Sequence, residues 1–230
     1  MQAQALHSWN VSPDEARRIQ TELAGRVSTR NELGGVRRVA GADISINRAN
    51  NRARVAVVIL SFPELELIEM RMVERDIPFP YIPGLLSFRE VPPILSAFEK
   101  VQEAPDLLLA DGQGVAHPRR FGLACHLGLV LDLPAIGCAK SLLVGRQAPL
   151  AESAGSQAEV IDRGQVVAIA LRTKQWSKPV YVSVGHKIDL PTAVNLVSQC
   201  TRGYRLPEPT RLADRAAAGA VEDIWPTVIG

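Results

Sequence analysis

The sequence has little of what marks several large classes of protein. It holds only three cysteines, Cys125, Cys138 and Cys200, which lie far apart and form no C-x-x-C pair. An odd and scattered set argues against a disulfide framework and a structural zinc site, and it favours a reducing compartment. The apolar runs all fall short of the roughly 18 residues that a membrane-spanning helix needs. We therefore expect a soluble protein with no membrane partner.

Neither sign of charge dominates the chain. Its 26 lysines and arginines stand against 24 aspartates and glutamates, a net charge of +2. This balance does not indicate a nucleic-acid partner, although it allows a local basic groove. Residues 1–9 lack the basic stretch and apolar run of a signal peptide, so we expect a cytoplasmic protein. With 230 residues, no repeat and no linker, a single domain over residues 1–230 is predicted.

Hydrophobic periodicity and turn residues predict an alternating α/β chain. Three antiparallel strands, at about 38–46, 54–60 and 65–73, are expected first, with a polar turn around 47–51. A helix over 85–102, a strand over 107–110, an amphipathic helix over 121–131 and a strand over 133–139 follow. This order predicts the ribonuclease H-like fold, a central mixed sheet (three antiparallel strands then parallel strands) flanked by helices. Further helices are predicted at 12–27, 191–201 and 208–219, and further strands at 157–162, 165–172 and 179–184.

The stretch over residues 105–120 carries the strongest chemical signal. A buried apolar strand ends on Asp111, glycines follow at 112 and 114, and His117, Arg119 and Arg120 come next. A carboxylate at the end of such a strand lies at the rim of the sheet, where α/β proteins bind ligands. A metal-binding acid beside groups that attract phosphate indicates phosphodiester chemistry. Alternatively, Asp111 caps the next helix.

Asp43 stands alone among apolar residues of the first strand. A buried carboxylate is costly unless it is paired or bound to a metal. The predicted strand order places the first and fourth strands side by side, so Asp43 and Asp111 are expected to share a divalent cation such as Mg²⁺. The alternative is an Asp43 on an exposed edge, paired with Arg37 or Arg38.

Two further acids have simple structural interpretations. Glu90 completes the capping-box spacing Ser87-Phe88-Arg89-Glu90. Asp214 follows Thr210 by one turn on a terminal helix, where an i,i+4 pair or solvent exposure is expected.

Three other side chains have both a functional and a structural interpretation. His117 either handles water or phosphate, or is a polar loop residue. Lys140 ends a predicted strand on the same rim as Asp111, or is simply solvated. Tyr81, on a stiff loop with three prolines, either wedges into a base stack or packs into the core.

Taken together, six segments strongly resemble the endonuclease V family, the deoxyinosine-specific repair nucleases. They are residues 39–43, 80–90, 111–119, 136–141, 183–187 and 204–211. The resemblance spans nearly all of residues 12–215 and leaves residues 1–11 and 146–156 without a motif.

The resemblance implies a ribonuclease H-like fold and Mg²⁺-dependent hydrolysis of DNA, with Mn²⁺ as a substitute. In that family the cut falls at the second phosphodiester bond 3′ to the deaminated base and leaves a 3′-hydroxyl and a 5′-phosphate. The implied roles are metal binding for Asp43, Glu90, Asp111 and Asp214; water or phosphate handling for His117 and Lys140; a strand-separating wedge for Pro80, Tyr81, Ile82 and Pro83; and a base pocket for Gly84, Leu85, Gly112 and Leu143.

Two alternatives remain open at this point. The first is a nuclease that acts mainly on inosine-containing RNA, which would require a contact to the 2′-hydroxyl. The second is a lesion-binding protein without cleavage, against which the joint presence of Asp43, Glu90 and Asp111 argues. We expect a monomer whose partner is DNA with deaminated bases, with single-stranded DNA or RNA as further ligands.

Overall fold

The computed structural model describes residues 1–47 and 51–221, within which the chain forms five helices and nine strands. The helices, α1 to α5, span Pro13–Ala24, Leu86–Phe98, Leu123–Leu131, Leu190–Gln199 and Glu208–Ala218. The strands, β1 to β9, span Arg38–Asn47, Arg52–Ser61, Leu67–Asp76, Leu107–Ala110, Ala135–Ala139, Arg146–Gln147, Gln157–Asp162, Gln165–Leu171 and Val180–His186. Residues 48–50 of the predicted turn around 47–51 lie outside the described residues.

All nine described strands belong to one sheet, in the order β3-β2-β1-β4-β5-β9-β8-β7-β6. The first three strands are antiparallel, and β4 and β5 then pair parallel to β1 and to each other. Beyond β5 the strands β9, β8, β7 and β6 are again antiparallel. The predicted mixed sheet of the ribonuclease H-like fold is confirmed.

Helices cover both faces of the sheet. The side chains of α2 and α3 pack on one face, and α4 and α5 pack on the other. Helix α1 lies outside α2 and α3, where Ile19 and Leu23 contact Phe88 and Phe121. It begins as the sequence predicts, because the Ser12 hydroxyl accepts a hydrogen bond from the Glu15 N–H at 3.2 Å. The innermost strands are thus buried on both sides, which explains the uninterrupted apolar run of β4.

The structure corrects one sequence expectation and adds one strand. The amphipathic pattern predicted for α3 is wrong, because every residue from Leu123 to Leu131 is buried. The short strand β6 was not predicted; it pairs with β7 in a region without a motif. Cys125, Cys138 and Cys200 are free and buried, in keeping with the absence of a disulfide framework. None of the described helices is both long and apolar enough to cross a membrane.

Candidate active site

Three aspartates converge at one rim of the sheet. Strands β1 and β4 pair in parallel with Ala42 opposite Ala110, so the next residues, Asp43 within β1 and Asp111 directly after β4, lie side by side. Helix α5 brings Asp214 to the same place. One carboxylate oxygen from each of the three lies within 4.8 Å of the others. The carboxylate cluster that the sequence predicted for Asp43 and Asp111 therefore forms.

The structural alternatives for these two acids are wrong. Strand β1 is an inner strand between β2 and β4, so Asp43 is not on an edge, and Arg38 pairs instead with Glu103 at 2.9 Å. Asp111 caps no helix, because α3 begins after Gly122 without a side-chain cap.

Lys140 balances part of the negative charge of this cluster. It follows β5, next to the strand that carries Asp111, and its Nζ lies 2.5 Å from Asp111 Oδ2 and 2.8 Å from Asp214 Oδ1. Burial by itself would lower the pKa of Lys140, but its contacts with Asp111 and Asp214 outweigh burial and raise it. A merely solvated lysine is excluded, as is an i,i+4 pair for Asp214.

Glu90 is a further buried acid, and it does not belong to the group of three aspartates. Helix α2 begins at Leu86, one residue before Ser87, so the capping box is wrong and Glu90 points into the protein. Burial, followed by the charges of Asp43 and Asp111, raises its pKa to about 8. Repulsion from the two aspartates thus disfavours the ionised form of Glu90.

Burial and mutual repulsion disfavour the ionised form of these carboxylates. Burial, followed by the charge of Asp111, raises the pKa of Asp43 to about 7. Burial also raises the pKa of Asp111, although Lys140 opposes it. Hard carboxylate oxygens at this spacing are the donors that Mg²⁺ prefers. The donor set therefore fits a divalent cation.

His117 lies near this site with both ring nitrogens engaged. Its Nδ1 is 3.2 Å from the Arg119 N–H, so it accepts there, and its Nε2–H donates to the Gly84 carbonyl at 3.1 Å. Burial, followed by the charge of Arg119, lowers its pKa to about 4, which keeps the ring neutral. In this geometry the imidazole holds Gly84 in place.

Gln20 is a site residue that sequence reasoning missed. Its Oε1 accepts from Arg119 Nε at 2.6 Å, and Arg119 Nη2 donates to the Gly84 carbonyl at 2.6 Å. Gln20 is buried on the inner face of α1, in line with Ala16, Ile19 and Leu23. The sequence feature that could have identified Gln20 is its position within the apolar face of α1, where a polar side chain is unusual.

The proline-rich loop over residues 78–84 projects Tyr81 into solvent. The Tyr81 side chain is 69% exposed, so the core-packing alternative is wrong. Pro80 and Pro83 are exposed as well. Ile82 is partly buried against the hydrophobic cluster that contains Ile19 and Leu23 of α1. The loop is anchored at both ends, by Arg89 Nη1 on the Phe79 carbonyl at 2.7 Å and by the contacts to Gly84. Gly84 has a φ of +78°, which disfavours any side chain at that position.

A cavity of about 320 Å³ lies between this loop and the carboxylates. Gly84, Gly112 and Leu143 line it as expected, together with Tyr81, Asp111 and Lys140. Leu85 does not reach it: that side chain is fully buried against α1 and α3, and the neighbouring Leu86 lines the cavity instead. The helix predicted over 85–102 begins at Leu86, so Leu85 is its N-cap residue and Leu86 its first helical residue.

Comparison with known proteins places this site in a family. The sequence profile of the Endonuclease V family matches residues 21–215. The chain belongs to the Endonuclease V family. An Endonuclease V of Dehalococcoides mccartyi is 53% identical over 213 residues, which cover 93% of this chain and 96% of that protein.

Two crystal structures of Endonuclease V are similar to this chain over most of their length. The protein from Streptomyces avermitilis is 39% identical, with a TM-score of 0.87, and the match covers 94% of this chain and 96% of the other. The protein from Ciona intestinalis, in complex with a 24mer DNA containing an inosine followed by a ribo-adenosine, is 30% identical. Its TM-score is 0.81, with 92% of this chain and 98% of that chain covered.

Proposed function

We propose that this protein is a cytoplasmic, monomeric DNA repair endonuclease that hydrolyses a phosphodiester bond 3′ to a deaminated base, deoxyinosine. The cut is at the second bond past the lesion and leaves a 3′-hydroxyl and a 5′-phosphate. The observation that carries the proposal is the convergence of Asp43, Asp111 and Asp214 beside a cavity with glycine walls. Family membership and the inosine-containing DNA held by the Ciona protein support the choice of substrate.

Asp43, Asp111 and Asp214 are the residues that would hold Mg²⁺, or Mn²⁺ in its place, with Glu90 close enough to support them. When bound, the cation lowers the pKa of the attacking water and neutralises charge on the leaving oxygen. The protein contributes a rigid arrangement of acids, because Asp43 lies within β1 and Asp111 directly follows β4, the parallel neighbour of β1.

Lys140 contributes a positive charge at the carboxylates. Its ammonium lies between Asp111 and Asp214 and its side chain is 41% exposed, so it is within reach of an incoming phosphate. A phosphate contact would orient the scissile bond over the carboxylates.

The cavity suits a base that has left the stack. Tyr81 offers an exposed ring where a duplex would be opened, and a deaminated base is extruded at lower cost because it pairs weakly. Arg119 and His117 both bind the carbonyl of Gly84, so the pocket wall is fixed before a base enters. His117 thus enters the proposal as a positioning residue; its role towards water or phosphate stays a prediction.

Cleavage of matched DNA and RNA strands with one inosine, with and without Mg²⁺, tests the proposal. We expect DNA cleavage only with the cation. Asp111→Asn should abolish cleavage and keep much of the substrate binding, since the cation acts chiefly on the transition state. Asp14→Asn, at an exposed position of α1, is the matched control.

Undiminished turnover of Asp111→Asn or Asp43→Ala would overturn the carboxylate site. Faster cleavage of RNA than of DNA would favour the RNA nuclease. If the wild-type protein bound the substrate but did not cleave it in Mg²⁺ or in Mn²⁺, the result would favour a lesion-binding protein without nuclease activity.

A further inference from the structure

The loop over residues 78–84 separates two cavities. Its second half, with Tyr81, Pro83 and Gly84, lines the cavity beside the carboxylates. Its first half, with Phe79 and Pro80, lines another cavity of about 450 Å³. The two cavities share no lining residue, so the loop is a partition with Tyr81 exposed at its tip.

The second cavity combines flat apolar walls with polar groups at its edge. Trp9, Phe79 and Pro80 supply the walls, and the exposed Asn10 and Arg75 supply hydrogen-bond donors. An aromatic ring beside a guanidinium is a combination that stacks on nucleobases without strong sequence preference.

The charges around this cavity do not oppose a nucleic acid. The carboxylate that lines it, Asp76, has a guanidinium partner, since its Oδ1 lies 3.6 Å from Arg52 Nε. Arg75 and Arg89 both line the same cavity. The lining therefore contains two cations and one carboxylate that already has a partner.

The walls are fixed by contacts that need no ligand. The ring of Trp9 packs 4.9 Å from that of His126 and 6.0 Å from that of Phe88. Arg89 donates to the Phe79 carbonyl at 2.7 Å and to Asn51 Oδ1 at 3.2 Å. A preformed cavity loses little conformational entropy when a ligand enters.

We propose that this second cavity binds the unpaired base of the strand opposite the deaminated nucleotide. The inference rests on the proposed function, because it assumes a duplex opened at Tyr81. Opening one base pair leaves two unstacked bases, one on each side of the inserted loop. The carboxylate-side cavity takes the lesion, and stacking against the partly exposed Trp9 offsets the lost stacking of its former partner.

Two variants test the cavity without touching the carboxylates. Asn10→Trp fills its mouth, and Arg75→Ala removes an exposed cation whose side chain donates a hydrogen bond to the carbonyl of Glu74. Each should weaken binding of inosine-containing duplex about ten-fold, within the range for lost base stacking. Binding and cleavage of the same inosine-containing single strand should change by less than about two-fold. Lys100→Ala, just beyond the far end of α2, is the charge control.

An abasic site opposite the inosine isolates the base contact. With this duplex, wild-type protein and both variants should bind equally, because no base is left to enter the cavity. The proposal would be overturned if a variant weakened binding of the abasic duplex by the same factor as binding of the intact duplex. Equal losses of affinity on single-stranded and duplex substrates would also overturn it. A failure of the proposed function looks different: the wild-type protein would then cleave neither inosine substrate.

Discussion

The carbonyl oxygen of Pro209 occupies the space that a side chain at Gly41 would need. A Cβ at Gly41 would lie 1.9 Å from that oxygen and 2.2 Å from its carbon, far inside van der Waals contact. The contact joins the start of α5 to β1, two residues before Asp43 on the strand and five before Asp214 on the helix. A glycine that carries no chemistry therefore sets the separation of two candidate metal ligands.

Gly41→Ala should separate α5 from β1. Overpacking of this kind costs roughly 1–3 kcal/mol of unfolding free energy. Because Asp214 moves with α5, the cleavage rate should fall further than the folded fraction does. Urea unfolding and single-turnover cleavage measure the two effects. Gly34→Ala is the control, since a Cβ there meets nothing within 4 Å; equal behaviour of the two variants would contradict the packing argument.

Lys140→Met removes the ammonium and keeps the length of the side chain. If Lys140 contacts phosphate, the slope of log K against log salt should become shallower by about one unit or less. Cleavage should fall more than binding. Arginine should restore activity only partly, because its planar fork places charge differently. Lys100→Met is the surface control, and an unchanged salt slope with full cleavage would show that Lys140 has no contact with the substrate.

Tyr81→Ala should weaken binding to inosine-containing duplex by about 1–3 kcal/mol, the range for lost base–aromatic stacking. The melting temperature should hardly change, because the side chain is 69% exposed. Tyr81→Phe keeps the ring and should bind like the wild type. A large fall in melting temperature, with full activity of the folded fraction, would argue against the wedge.

His126 makes folding sensitive to acid. The ring is fully buried, its Nε2 lies 2.7 Å from His7 Nε2, and burial followed by the charge of His7 lowers its pKa well below 6.5. Below about pH 6.5 His126 is protonated in the unfolded chain but stays neutral in the native protein. This contribution to stability is therefore complete above pH 6.5 and is lost as pH falls.

Acid below pH 6.5 should therefore reduce the unfolding free energy through His126. Since other buried groups also titrate, the measurement compares wild type with His126→Leu by urea unfolding between pH 7 and pH 5. The variant's stability should fall less steeply with acid. Parallel curves for the two proteins would contradict the assignment.

Local patterns predicted much of this architecture. Strand β4 is buried on both faces, so its uninterrupted apolar run predicted both ends of the strand, Leu107 and Ala110. The order of strands and helices then placed β1 beside β4, and with them Asp43 and Asp111. Such features depend on neighbours in the chain and on packing rules that hold for every sheet.

Other features depend on contacts between distant residues. Whether Leu85 or Leu86 faces the cavity was decided by where α2 starts against α1. Lys140 met Asp214, 74 positions away, only through the packing of α5 on β1. The second cavity needs residues 9–11, a segment without any motif, to lie against the proline loop.

The sequence by itself thus determined most of the elements, the pairing of β1 with β4 and the two aspartates, Asp43 and Asp111, that this pairing brings together, because hydrophobic periodicity and packing rules specify them. Only the tertiary structure decided which side chains line the cavities and which charges meet. Those outcomes depend on interatomic distances of a few ångströms between segments far apart in the chain, such as the space that Gly41 leaves for Pro209.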